Sequence, residues 1–221
     1  MIIVRAPLRI TFIGDATDIR DFYSRTPGRV ISTTIDKFIY LAINPKYIGN
    51  KFIMKYSVTE SVQHPSEHKH DGFRTALLDY GIVDNGIEIA SFADIPAKTG
   101  LGSSSSFSVA LVKGLNAHLG KTISKEDAAV AACRLEIDLL KEPIGKQDQY
   151  AAAYGGFNII QFNPDESVDV EPVLLDFQKR SLLENHLLLF FTGMTRDAGS
   201  VLTEQKSLMD KHFETYKKMA E

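Results

Sequence analysis

The chain has no tryptophan and only one cysteine, Cys133, among its 221 residues. A lone cysteine rules out an intramolecular disulfide and fits a reducing compartment. Its apolar neighbours Val130–Ala132 and Leu135 make it a buried helix residue. There is no excess of positive charge. Lys and Arg number 25 against 28 Asp and Glu, net charge is −3, and the one short basic cluster is Lys217–Lys218. A nucleic-acid binder is expected to show a basic stripe, so nucleic acid is not an expected partner. Long apolar runs are missing too. Leu187–Phe191 is far too short to cross a bilayer, so no membrane association is expected. Met1–Arg5 shows no basic n-region or cleavage site, and the expectation is a cytoplasmic protein. Repeats, low-complexity segments and flexible linkers are also absent.

What remains is an ordinary globular composition, 44% hydrophobic and 24% charged. Ile2–Val4 and Ile10–Ile13 read as short strands. Arg29–Asn44 reads as a long strand ended by Pro45, and Lys51–Val58 alternates like a hairpin partner. Ser61–Asp71 holds His64, His68 and His70 without a recognised zinc spacing, and reads as a surface loop before a helix Phe73–Tyr80. Gly86–Ala90 is a strand. The pattern then predicts helices over Ser104–Leu119, with Gly120 as a left-handed cap, and over Lys125–Leu140, opened by Ser124 and Asp127. Gly145–Tyr154 is helix-like. Phe157–Phe162 and Val168–Leu175 read as strands, Leu187–Phe191 as a buried strand, and Ala198–Lys218 as an amphipathic helix. Charge rises over Gln178–Asn185, the nearest thing to a boundary.

Four pieces carry chemistry. In Pro96–Ser106 a strand enters a loop with Gly100 and Gly102, and hydroxyls at Ser103–Ser106 precede a helix. Glycines let a ligand approach the backbone, and the first N–H groups of the helix face it with a positive dipole end. That suits a polyphosphate; a Ser-rich capped turn is the alternative. The loop is neither a Walker A nor a Rossmann fingerprint. Asp148, between Gln147 and Gln149, could take a proton from a substrate hydroxyl or simply satisfy a helix dipole. Glu136 sits among apolar residues; turned inward it would need a partner such as Mg²⁺, turned outward it would pair with Arg134 or Lys141. Finally, Arg5–Arg9 delivers a basic residue, and Gly14 then presents Asp15, Thr17 and Asp18, a set suited to sugar hydroxyls or to an Asx turn.

These pieces, in this order, resemble the galactokinase, homoserine kinase, mevalonate kinase and phosphomevalonate kinase (GHMP) family. Pro96, Gly100, Leu101, Gly102, Ser103 and Ser104 match its Pro-x3-Gly-Leu-Gly-Ser-Ser motif. Ala6, Pro7 and Arg9 match its amino-terminal motif. Gly145, Asp148 and Gln149 match the setting of its catalytic Asp, and Glu136 its metal-binding Glu. Longer strings, among them Gly-Lys-Gln-Asp-Gln-Tyr and Leu-Phe-Phe-Thr-Gly-x-Thr-Arg, look like the bacterial heptose-phosphate kinases. Two departures stand out: Gly14-Asp-Ala-Thr-Asp18 replaces the usual sugar-kinase string, and Lys98 stands where many members have Gly. The family's Gly-rich carboxyl-terminal motif is missing.

The resemblance implies an α+β fold: a ribosomal S5 domain 2-like lobe over 1–185, and over 186–221 the start of a ferredoxin-like second lobe, most of it missing. It implies a sugar kinase using ATP and Mg²⁺, with D-glycero-D-manno-heptose 7-phosphate as acceptor at its anomeric hydroxyl, for surface-polysaccharide precursors. Fucose- or galactose-type kinases and a non-catalytic sugar- or nucleotide-binding paralogue are the alternatives. Implied roles are Asp148 and Arg9 in catalysis; Pro96, Lys98, Thr99, Gly100, Leu101, Gly102, Ser103, Ser104 and Ser105 on ATP phosphates; Ser104 and Glu136 on the metal; and Asp15, Thr17, Asp18, Lys146 and Arg196 on the acceptor. The expected partners are this small molecule and, as a homodimer, a second copy.

Overall fold

The structure, a computed structural model, describes residues 1–46, 49–191, 193 and 207–221. The amino terminus folds as one strand, β1 (Ile2–Ile13), rather than two. Pro7 lacks an amide proton, and the ladder absorbs this as a register shift between Pro7 and Arg9 instead of a break. β2 (Gly28–Pro45) lies antiparallel along it, from Ile2 opposite Ile43 to Ile13 opposite Ile31. On its other edge β2 carries two strands in succession. Its carboxyl half pairs with β5 (Ile87–Ala93) and its amino half with β6 (Phe157–Phe162).

β3 (Phe52–Lys55) pairs parallel with β5 and antiparallel with β4 (Thr59–Val62), whose last two residues fall in the stretch read as loop. β7 (Val168–Pro172) pairs with β6 at the far edge. The result is one seven-stranded sheet. The parallel step from β3 to β5 passes through α2 (Asp71–Asp79), as a parallel connection requires.

α3 (Ser103–His118), α4 (Lys125–Cys133) and α5 (Gln147–Tyr154) bury their apolar sides with the sheet in one core. Leu41, Ile43, Ile87 and Ile89 from the strands meet Phe73, Val109, Leu115 and Ala128 from the helices. Ser124 caps α4 by accepting from the Asp127 amide, and Gly120 is left-handed, φ 72°. The predicted single helix Lys125–Leu140 changes type midway: Arg134–Leu139 is a π-helix.

Beyond β7 the fold departs from expectation. Gln178–Asn185 belongs to an exposed helix, α6 (Phe177–Asn185), with no buried residue. Leu187–Phe191 is neither a strand nor buried: Leu188 is 82% and Phe190 77% exposed. A strand needs a hydrogen-bonding neighbour, and none of the described residues offers one here. The last helix, α7 (Met209–Ala220), turns back onto the amino-terminal part. Met209 and Ala220 close a small second cluster with Ala16, Ile19 and Phe22, and Phe213 packs 5.1 Å from Phe22, ring to ring. Residues 198–206 of the predicted last helix lie outside the described residues. Among the described residues no strand follows β7. No helix among them is long and apolar enough to cross a membrane.

Candidate active site

β1 brings Arg9 beneath the loop that precedes α3. The Arg9 amide donates to the Leu101 carbonyl at 3.0 Å, and its Nη1 to the Gly100 carbonyl at 2.6 Å. The other two guanidinium nitrogens grip Asp148: Nε to Oδ1 at 2.6 Å and Nη2 to Oδ2 at 2.8 Å. This two-point clamp is the strong geometry for an Arg–carboxylate pair. Both side chains keep some solvent contact, 14% for Arg9 and 23% for Asp148.

Gly102 sits against that pair. A Cβ there would lie 3.2 Å from Arg9 Cγ and 3.3 Å from Asp148 Oδ2, at a φ of 73° that favours glycine. Lys98 and Gly100 are also left-handed, at φ 64° and 77°. Lys98 thus adopts the backbone a glycine would, at a cost of roughly 1–2 kcal/mol for an L-residue. Left-handed residues at every second position bend the loop into a concave strip of N–H groups. Gly102 is the N-cap of α3 and contributes no side-chain cap, so the first-turn amides face this hollow with the positive end of the dipole. Pro96 and Thr99 shape the entry, with the Thr99 hydroxyl donating to the Pro96 carbonyl at 3.2 Å.

The serines divide by role. Ser106 is buried and donates to the Pro7 carbonyl at 2.7 Å, tying α3 to β1. Ser104 donates to Glu136 Oε1 at 2.7 Å. Glu136 therefore points inward, only 1% exposed, while Arg134 pairs with Asp79 instead. The other Glu136 oxygen accepts from Gln149 Nε2 at 2.6 Å. Burial pushes the Glu136 carboxyl pKa up against these neutral donors. Among the described residues no cation pairs with this carboxylate, and the buried Gln149 Oε1 beside it has no partner. A buried carboxylate with a hydroxyl at the head of an anion-binding loop fits Mg²⁺, which takes one or two protein oxygens and completes its shell with phosphates and water.

The second acidic group hangs on Gln147, a residue sequence reasoning did not single out. Its Nε2 donates to Asp15 Oδ1 at 2.8 Å and to Asp18 Oδ1 at 3.2 Å, its backbone amide to Asp18 Oδ2 at 3.0 Å, and its Oε1 accepts from Thr11. Asp18 is 2% exposed, and desolvation lifts its pKa to about 7. Thr17 is fully buried, with its hydroxyl on the Gly14 and Arg29 carbonyls. It fixes the turn and presents no hydroxyl to a ligand, which corrects its expected place on the acceptor. Lys146 reaches the rim but is already paired with Glu166 at 2.5 Å. Arg196 lies outside the described residues. Asp18, Gly145 and Lys146 also border a cleft of about 450 Å³ between α1 (Arg20–Tyr23), the π-helix and α5.

The histidines of 64–70 serve structure. His64 and His70 cap the starts of short helices, and His68 is buried against Glu60 at 3.1 Å.

Residues 71–156 match the family described as GHMP kinases N terminal domain. A D-glycero-alpha-D-manno-heptose 7-phosphate kinase of Campylobacter jejuni is 27% identical over 94% of this chain and 66% of its own length. A bifunctional fucokinase/GDP-fucose pyrophosphorylase of Arabidopsis thaliana is 31% identical over 90% of this chain and 21% of its own. The chain thus spans between about a fifth and two thirds of these relatives. Among solved structures, a D-glycero-D-manno-heptose 1-phosphate kinase from Bacteroides thetaiotaomicron superposes with a TM-score of 0.80, covering all of this chain and 74% of that one at 24% identity. That likeness establishes the α+β fold of the amino-terminal lobe.

Proposed function

We propose, from the premise that this chain carries the N-terminal domain of the GHMP kinases, that it transfers the γ-phosphoryl group of ATP to a sugar hydroxyl. The observation that carries this reading is the Arg9–Asp148 clamp, set against Gly102 at the mouth of the phosphate-shaped loop. ATP phosphates lie on the amides of 100–105. Ser104 and Glu136 would hold Mg²⁺, which when bound would neutralise charge on the phosphates.

Asp148 spends one lone pair of each oxygen on Arg9, and the remaining lone pairs can accept the acceptor hydroxyl. The main work of Asp148 is to aim the hydroxyl oxygen in line with the γ-phosphorus and to receive the proton late. A loose phosphoryl-transfer transition state asks for no more. Arg9, one guanidinium away, opposes the negative charge that develops on the transferring group. Asp15, exposed and joined through Gln147 to the buried Asp18, faces the acceptor's other hydroxyls.

The acceptor we propose is a heptose 7-phosphate at its anomeric hydroxyl, supported by the likeness to the Campylobacter jejuni enzyme. The Arabidopsis thaliana relative, named for fucokinase, supports fucose as the second candidate. The test is ATP consumption over a panel of sugars and sugar phosphates, with Asp148→Asn alongside. We expect one acceptor class to be turned over, and Asp148→Asn to lose at least a thousandfold in kcat while binding a non-hydrolysable ATP analogue within threefold of wild type. Near-native turnover by Asp148→Asn would remove Asp148 from the reaction.

A further inference from the structure

The first three residues of α5 are shared out among different acids. Successive residues of a helix point about 100° apart, so Gln147, Asp148 and Gln149 fan out around its end. Asp148 meets Arg9, and Gln149 donates to Glu136. Gln147 meets the turn after β1 that bears Asp15 and Asp18. The phosphoryl-transfer reading gives work to Asp148 and Glu136 and none to Gln147.

Gln147 is only 6% exposed, and each polar atom of its side chain is engaged. The Thr11 hydroxyl donates to Oε1 at 2.8 Å, which turns the amide nitrogen toward the two acids. An ionised carboxylate only accepts, so a group with two donor hydrogens suits this place. Nε2 sends one hydrogen to Asp15 Oδ1 at 2.8 Å and the other to Asp18 Oδ1 at 3.2 Å. The two acids differ in what is left over. Asp18 is buried, and its second oxygen accepts from the Gln147 backbone amide at 3.0 Å. Asp15 is exposed, and its Oδ1 accepts a second bond, from the Ala16 amide at 3.1 Å. Its hydrogen bonds with the described residues therefore fall on one oxygen, and Oδ2 is left for a ligand.

We propose that Gln147 is a positioning residue for the acceptor: it pins Asp15 against the buried Asp18, so that Asp15 Oδ2 meets an acceptor hydroxyl in fixed register with Asp148. This rests on the reading of Asp148 as the point of transfer. An aspartate on an exposed turn otherwise moves among its rotamers, and a misplacement of about 1 Å can cost about a hundredfold in rate. Gln147 itself touches no reacting atom and acts through Asp15. Its place also dictates what cannot replace it. Methionine keeps the length and loses both donors. Glutamate keeps the shape, but when ionised it sets a third negative charge against Asp15 and Asp18. Asp148 stands beside them, already paired with Arg9, and the cation at the helix start, Lys146, is paired with Glu166. A glutamate at 147 therefore titrates above its ordinary range and regains one donor hydrogen as pH falls.

The probes are D-glycero-D-manno-heptose 7-phosphate and fucose. Each is titrated calorimetrically into wild type, Gln147→Met and Gln147→Glu at pH 5.5 and 8.5, with the loop at 100–105 first filled by a non-hydrolysable ATP analogue. Relative to wild type at the same pH, Gln147→Met should weaken sugar binding at least tenfold at both pH values. Gln147→Glu should bind within threefold of wild type at pH 5.5 and at least thirtyfold more weakly at pH 8.5. The ATP analogue should bind all three proteins within threefold. Recovery of one protein sample on acidification is not what a misfolded variant gives. Wild-type binding by Gln147→Met, or Gln147→Glu equally weak at both pH values, overturns the proposal. Wild type that binds neither sugar overturns it together with the acceptor reading. The expected pattern with no phosphorylation of either sugar removes the kinase reading and leaves the role of Gln147 standing.

Discussion

Replacing Asp18 by asparagine should stabilise this fold at alkaline pH. The carboxyl is completely buried, and its pKa moves from 3.8 to about 7 because burial disfavours the ionised form more than the Gln147 hydrogen bonds favour it. At about 1.4 kcal/mol per pH unit, that rise amounts to roughly 4 kcal/mol. The sign follows from proton linkage. Between pH 4 and 7 the folded chain holds a proton on Asp18 that the unfolded chain has released, so stability falls as pH rises through this window. Above pH 7 the full cost is present. Asparagine escapes the charge but gives up one of the two acceptor oxygens facing Gln147, which costs about 1 kcal/mol. The net expectation is a gain of roughly 2–3 kcal/mol at pH 8, shrinking to zero or a slight loss near pH 4.5. Urea denaturation of both proteins from pH 4.5 to 8.5 measures it. Glu136, also raised by burial, acts in the same direction but is present in both proteins and drops out of the difference. A pH-independent difference between the two proteins, or an Asn variant less stable at pH 8, would refute this account of Asp18.

Two further substitutions probe the frame around the site. A Cβ at Gly145 would fall 2.0 Å from Asp18 Oδ2. Gly145→Ala should therefore destabilise by about 1–3 kcal/mol and raise the acceptor KM by tenfold or more, while the affinity for an ATP analogue stays within threefold. Phe213→Ala removes the α7 ring that packs on Phe22, behind the turn bearing Asp15 and Asp18. Thermal unfolding should report a loss of about 2 kcal/mol for this half-buried ring, and steady-state kinetics a rise in acceptor KM with kcat little changed.

The loop and the acids were legible in the sequence because each carries a local signature: glycines before a run of serines, an acid between amides, a carboxylate in an apolar stretch. Their connections were not, since these join residues far apart in the chain. Nothing local says that Gln147 will bridge Asp15, Asp18 and Thr11, or that Arg9 will hold Asp148 and Gly100 at once. Thr17 looked like a ligand because a hydroxyl after a glycine turn suits a sugar. Burial decided otherwise, and only packing reveals burial. Lys98 looked like a departure in charge, but its backbone conformation matches that of the glycines at 100 and 102. The elements were best predicted where a partner exists within the fold. Leu187–Phe191 has every property of a strand except a neighbour, and it is left exposed.

The π-helix at Arg134–Leu139 has a consequence of another kind. Its wide turn, with the Leu140 amide reaching back five residues to Leu135, contains one residue more than an α-helix would use. Leu135 and Glu136, adjacent in sequence, are both buried there. The direction of the Glu136 carboxylate is therefore set by how many residues the turn contains as much as by which residues they are. In the language of inheritance, losing one codon here would regularise the helix and rotate the carboxylate away from Ser104, with every side chain of the site still encoded. The address of this acid is written in the spacing of the chain.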